Sequence, residues 1–235
     1  MDNDLHTSPK FSHLKPKIVS YASINYRLSA HPSFPQDPAS VARDNYRNAK
    51  HPDHIHDVSS ALSFLESRYS IGDRYMLVGH SCGATLAMQV IMGQDYLLSL
   101  GVPSESLQFK LPRHILGVAG IYDLQLLRDR NSHPAYNEFL TGAFGADENV
   151  WDAVSPAKFA GYTESLENGK TLAFATSTND ELVDESQIDV MVKRVEELGN
   201  GVLLKNYKNA LKEGHDDVWN KGELANVLAM LLEVC

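Results

Sequence analysis

Residues 74–89 read Arg-Tyr-Met-Leu-Val-Gly-His-Ser-Cys-Gly-Ala-Thr-Leu-Ala-Met-Gln. An apolar run of β type ends at Gly79, and a run of good helix formers follows Gly83. Between them Ser81 stands in the pattern Gly-x-Ser-x-Gly, the form of a nucleophile elbow. A strand that turns at once into a helix narrows the fold sharply. The turn is tight enough that a Cβ at Gly79 or Gly83 is expected to collide with the neighbouring strand or helix. The serine then sits at the apex in a strained backbone, hydroxyl outward. The helix behind it aims free N–H groups and a partial positive charge at the site, which suits an oxyanion. Cys82 follows the serine, so its backbone N–H is the natural oxyanion donor. A nucleophilic Cys82 is the lesser alternative.

The rest of the chain alternates in the same way. Residues 18–26 form a β-type run, expected as a buried, central strand. Residues 27–52 are punctuated by Pro32, Pro35, Pro38 and Pro52, which forbid one continuous helix. A helix fits from Asp57, with Val58, Ala61, Leu62, Leu65 and Tyr69 on one stripe. Further strands are expected at 114–120, 171–176 and 202–207, and helices at 184–198 and 218–234. This predicts an α/β fold with a mostly parallel sheet covered by helices on both faces. Residues 1–17 are polar and read as a disordered or frayed terminus. Residues 18–235 form one domain, with a cap-like, aromatic-rich insertion near 121–169. Those aromatics are expected to serve mostly in packing, with a minority lining an apolar pocket.

A reactive serine needs a histidine base, and the base needs a carboxylate to fix its tautomer. In doubly wound hydrolases the order is serine, acid, histidine, with each group just past a strand's carboxyl end. Asp180 follows the strand at 171–176, and His215 follows the strand at 202–207. Glu181, Asp184 and Glu185 read as solvated or helix-starting acids, as do Asp216 and Asp217. His51, His54, His56 and Asp57 could be taken for a metal cluster, but Pro52 interrupts the spacing, so a metal is not expected.

The formal net charge of −9 argues against nucleic acid and anionic membrane surfaces as partners. The two cysteines, Cys82 and Cys235, outline neither a disulfide framework nor a zinc site, so a reducing cytoplasm is the simplest setting. The first 17 residues lack the apolar core of a signal peptide, and no stretch reaches membrane-spanning length.

Five segments carry a narrower likeness: 22–29 (Ala-Ser-Ile-Asn-Tyr-Arg-Leu-Ser), 50–55 (Lys-His-Pro-Asp-His-Ile), 78–85 (Val-Gly-His-Ser-Cys-Gly-Ala-Thr), 120–124 (Gly-Ile-Tyr-Asp-Leu) and 215–219 (His-Asp-Asp-Val-Trp). On these, residues 18–235 resemble an α/β-hydrolase of the esterase and lipase branch, and within it the fungal kynurenine formamidases (arylformamidases). The resemblance implies hydrolysis of N-formyl-L-kynurenine, a small aromatic formamide, to L-kynurenine and formate in tryptophan catabolism. Ser81 would attack, His215 would move the proton, Asp180 would orient His215, and the Cys82 N–H would hold the oxyanion, without a cofactor. A homodimer is left open. The family's upstream His-Gly-Gly loop has no counterpart in the sequence, nor do the strands before it. The expectation is therefore an N-terminally shortened hydrolase with weak or no turnover. Its sheet either closes the gap by pairing residues 18–26 with the elbow strand or is damaged there. A short-chain carboxylesterase and a non-catalytic hydrolase-fold remnant stand as alternatives.

Overall fold

The computed structural model describes residues 4–162, 166, 169–199, 201–220 and 222–233. Its centre is a four-stranded, fully parallel sheet in the order β1-β2-β3-β4: Met76–His80, His114–Val118, Lys170–Ser177 and Val202–Leu211. Gly79 of β1 lies beside Gly117 of β2, which lies beside Phe174 of β3. β3 is buried along its whole length, as expected for an interior strand of a covered parallel sheet.

Among the described residues the α-helices are α1 (Asp4–Thr7), α2 (Asp53–Tyr69), α3 (Cys82–Val90), α4 (Gln94–Ser99), α5 (Leu124–Arg130), α6 (Ala135–Phe144), α7 (Glu148–Val154), α8 (Ser186–Glu196) and α9 (Glu223–Glu233). Side chains alternate across a strand, so each strand feeds two cores. On one face Ile115, Leu172 and Phe174 meet Ala84, Ala87 and Met88 of α3 and Ile188, Met191 and Val195 of α8. On the other, Leu116, Val118, Ala173 and Ala175 meet Leu224, Val227 and Leu231 of α9. An outer layer adds Ile55, Val58 and Leu62 of α2 against Leu86 and Val90 of α3. Among the described residues no helix is long and apolar enough to cross a membrane.

Four expectations fail here, the first three for an identifiable physical reason. Residues 18–26 form no strand, and Val19 is 99% exposed. A β-type run becomes a strand only where its N–H and C=O groups meet a ladder. This one is strapped over α2 instead: Ile24 and Tyr26 rest on the Ile55–Val58–Leu62 cluster. Asp57 then accepts both the Arg27 backbone N–H and its guanidinium at 2.8 Å. β1 is therefore an edge strand, and direct pairing with the 18–26 run does not occur.

The second correction is at the amino end. Residues 4–17 are not frayed, because Leu5, Phe11 and Leu14 are buried against Ala225 and Ala229 of α9. The third is the start of α2, which begins at Asp53 rather than Asp57. Pro52 stands at its N-cap, where a missing N–H does no harm, and Asp53 supplies the first-turn acid.

Residues 121–162, part of the stretch expected as an insertion, hold α5, α6 and α7. Its Trp151, Tyr122 and Tyr162 are among the largest fully buried side chains. Tyr122 lies edge-on to Phe174 at 5.3 Å, so these aromatics pack. The final helix is shorter than expected, starting at Glu223, and Val234 lies outside the described residues.

Candidate active site

Ser81 occupies the turn between β1 and α3 with φ 54° and ψ −125°, a conformation that side chains rarely adopt. Its backbone is fixed from two sides. Its N–H donates to the Val118 carbonyl at 2.9 Å, and its carbonyl accepts from the Ala84 N–H at 3.0 Å. Strain that is held this firmly is characteristic of functional positions.

The two glycines of the motif are not equivalent. A Cβ on Gly79 would fall 2.2 Å from the Gly83 carbonyl oxygen, a backbone atom that cannot step aside. A Cβ on Gly83 would meet nothing within 4 Å. The collision expected at both positions therefore exists only at Gly79. Gly79→Ala is expected to lower stability by about 3 kcal/mol or more, as overpacking against backbone does. Gly83→Ala is expected to leave it unchanged or raise it by up to about 1 kcal/mol, since alanine is the better helix former. Thermal melts of the two variants check the contrast; equal losses in both would contradict it.

Asp180 and His215 meet past the carboxyl ends of β3 and β4. His215 Nδ1 lies 2.9 Å from both Asp180 carboxylate oxygens, and their side chains are only 4% and 3% exposed. Burial pushes the Asp180 carboxyl up. The His215 hydrogen bond, with the N–H groups of Val183 and Leu182, outweighs it, and the net pKa is lowered. Those two N–H groups donate to Asp180 Oδ1 at 2.9 and 3.0 Å, so the carboxylate's orientation is set by its own loop.

The loops carrying the pair are stitched to each other. The Ser177 hydroxyl donates to the Glu213 carbonyl, and the Thr178 N–H to the Leu211 carbonyl at 2.9 Å. Glu181 corrects the sequence reading. It is not simply a solvated acid: its Oε2 accepts the His215 backbone N–H at 3.0 Å. Its neighbours act otherwise. Asp184 accepts the Ser186 N–H at the start of α8, and Glu185 pairs with Lys208 at 3.0 Å.

The nucleophile and base loops come together through His80. The His80 ring centroid is 4.6 Å from that of His215 and 5.4 Å from that of Trp219. His80 is the residue immediately before Ser81, so the elbow lies one residue from a ring that touches His215. Among the described hydrogen bonds none joins Ser81 Oγ to His215. Such contacts are commonly long before substrate arrives. Cys82 is the first residue of α3, where backbone N–H groups lack intrahelical partners. Its thiol is exposed, and the Tyr26 hydroxyl lies 3.4 Å from its sulfur. Cys235 lies outside the described residues.

The histidines near Pro52 diverge. The His51 ring lies tilted against Phe144 at 5.5 Å, His54 Nε2 lies 2.9 Å from Ser29 Oγ, and His56 Nε2 lies 3.2 Å from Ser106 Oγ. Among the described residues no group of three or more His, Cys, Asp or Glu side chains is placed to hold a metal ion.

No family model matches the chain. Relatives do. It is 38% identical over 208 residues to "Kynurenine formamidase-like hydrolase fscH" of Fusarium equiseti, covering 87% of this chain and 67% of that protein. It is also 38% identical over 224 residues to "Kynurenine formamidase avaC" of Aspergillus versicolor, covering 88% of this chain and 72% of that protein. The chain belongs to the kynurenine formamidase family. Solved structures agree on the fold of this formamidase-family chain. Esterase B from Lactobacillus rhamnosis superposes with a TM-score of 0.61 at 16% identity, over 79% of this chain and 62% of that one. An acetyl ester-xyloside bifunctional hydrolase from Caldicellulosiruptor lactoaceticus gives 0.56 at 14% identity, over 81% and 69%. The α/β-hydrolase fold implied by the resemblance is thus the fold observed, and the chain is a hydrolase of the formamidase type.

Proposed function

We propose that this formamidase-family chain hydrolyses N-formyl-L-kynurenine in the cytoplasm, with Ser81 as nucleophile, His215 as base and Asp180 as its orienting acid. The observation that carries the reading is the buried His215, held at 2.9 Å by both Asp180 oxygens beside the elbow. An imidazole fixed through Nδ1 presents Nε2 as the free, proton-accepting atom.

In the first half-reaction Ser81 Oγ attacks the formyl carbon as His215 Nε2 takes the hydroxyl proton. The carbonyl oxygen becomes an oxyanion, held by the Cys82 N–H at the amino end of α3. The C–N bond breaks, the aniline nitrogen takes the proton from His215, and kynurenine leaves a formyl-serine ester. In the second half-reaction water attacks that ester, His215 receives the water proton and returns it to Ser81 Oγ, and formate departs. Every proton passes through His215, and no cofactor enters.

The sequence contains no His-Gly-Gly, the run that by resemblance carries the family's other oxyanion donors. Loss of one donor lowers kcat by about a hundredfold to a thousandfold, so turnover by this chain is expected to be weak. Side-by-side kinetics on N-formyl-L-kynurenine and p-nitrophenyl acetate test the assignment. A kcat/KM at least tenfold higher for the formamide supports it. Preference for the ester makes the chain a carboxylesterase. Failure of a fluorophosphonate to label Ser81 makes it a non-catalytic relative.

A further inference from the structure

The geometry points to His80 as a positioning residue: its ring is the floor on which the His215 imidazole is held toward Ser81. The inference rests on the proposed serine-hydrolase reading and adds to it a residue that the elbow motif leaves as an unspecified "x".

The two rings face each other at 4.6 Å between centroids, tilted by 42°. His80 also meets Trp219 edge-on, at 5.4 Å and 83°. Asp180 holds His215 by one edge through Nδ1, and a hydrogen bond at one edge leaves a ring free to swing about that contact. A flat surface against its face removes that freedom. His80 is supplied by β1 and Trp219 by the turn before α9, so the floor is built from two separate elements.

The side chain is a costly choice for packing alone. Its Nε2 is buried with no hydrogen-bond partner among the described residues, an unfavourable state relative to a satisfied group. Burial first, and the neighbouring His215 second, push the His80 pKa down to about 4, against smaller upward pulls from the His215 backbone, Asp180 and Asp216. His80 thus stays neutral while His215 carries the proton in transit. A neutral aromatic face beside an imidazolium attracts it, where a second cation would repel it.

Three forms are compared: wild type, His80→Ala and His80→Phe. Each is measured for fluorophosphonate labelling rate at Ser81 and for kcat and KM. His80→Ala is expected to lower the labelling rate and kcat at least tenfold with KM changed less than twofold. His80→Phe keeps a flat face, so it is expected to stay within about threefold of wild type. Wild-type levels in a folded His80→Ala protein overturn the inference and leave the serine-hydrolase reading intact. Equal losses in the two variants overturn it as well, because the flat face would then not be what matters. An unlabelled wild type overturns both.

Discussion

Ser81→Ala is expected to remove hydrolysis and fluorophosphonate labelling together, lowering kcat by about 10⁴- to 10⁶-fold, the scale set by single losses from a nucleophile–base unit. The same site makes a second, opposite prediction for stability. Ser81 is a non-glycine residue at φ 54°, pinned there by Val118 and Ala84. Alanine carries the same Cβ and inherits the same strain, so Ser81→Ala should melt close to wild type. Glycine does not, so Ser81→Gly should be inactive yet more stable by about 1 kcal/mol, the lower end of what such strain stores. A residue chosen for packing would show the reverse, losing stability when truncated. Retention of more than 1% of turnover in Ser81→Ala would rule out the serine as nucleophile and turn attention to Cys82, whose thiol is exposed one residue away.

What could be read from the residues was whatever depends on local pattern. The elbow needs only a strand, a tight turn and a helix in succession, and β1, Ser81 and α3 follow in that order. Asp180 and His215 were reachable because each comes just after a strand in a parallel sheet, where chain order constrains position. The larger errors involve partners that lie far away in sequence, whereas the start of α2 and the role of Gly83 are local misreadings. Residues 18–26 look like a strand, but strand formation depends on a neighbouring ladder, and the Arg27–Asp57 clasp holds the run elsewhere. Gly83 looks as constrained as Gly79 in the motif, yet only one of the two faces a backbone oxygen. Glu181 looks like a surface acid because nothing local reveals that the His215 N–H will reach it. His80 is hidden for the same reason: its ring meets His215 from 135 positions away in sequence.

Asp180→Asn is expected to lower kcat about 10⁴-fold with little change in KM, because an amide can hold His215 in the tautomer that leaves the wrong nitrogen free. The substitution also has a pH signature. Asp180 has a folded pKa below its ordinary 3.8, the His215 hydrogen bond and the Val183 and Leu182 N–H groups together overcoming the upward push of burial. A carboxyl that gives up its proton more readily in the folded than in the unfolded chain stabilises the fold where it is ionised in both. That stabilisation is fully present above the unfolded pKa and disappears as pH falls through the lower, folded one. Breaking a buried pair by removing one partner costs about 3–5 kcal/mol, and asparagine, which keeps the shape and one accepting oxygen, should fall at or below the lower end of that range. The wild-type and Asp180→Asn melting curves are therefore expected to lie well apart at neutral pH and to converge as the pH is taken below 3.8. A gap that stays constant down to pH 2 would mean that Asp180 stabilises the protein through its shape alone. A gap that opens only in acid would mean that the carboxyl is protonated in the native state, and then it could not orient His215 as an anion.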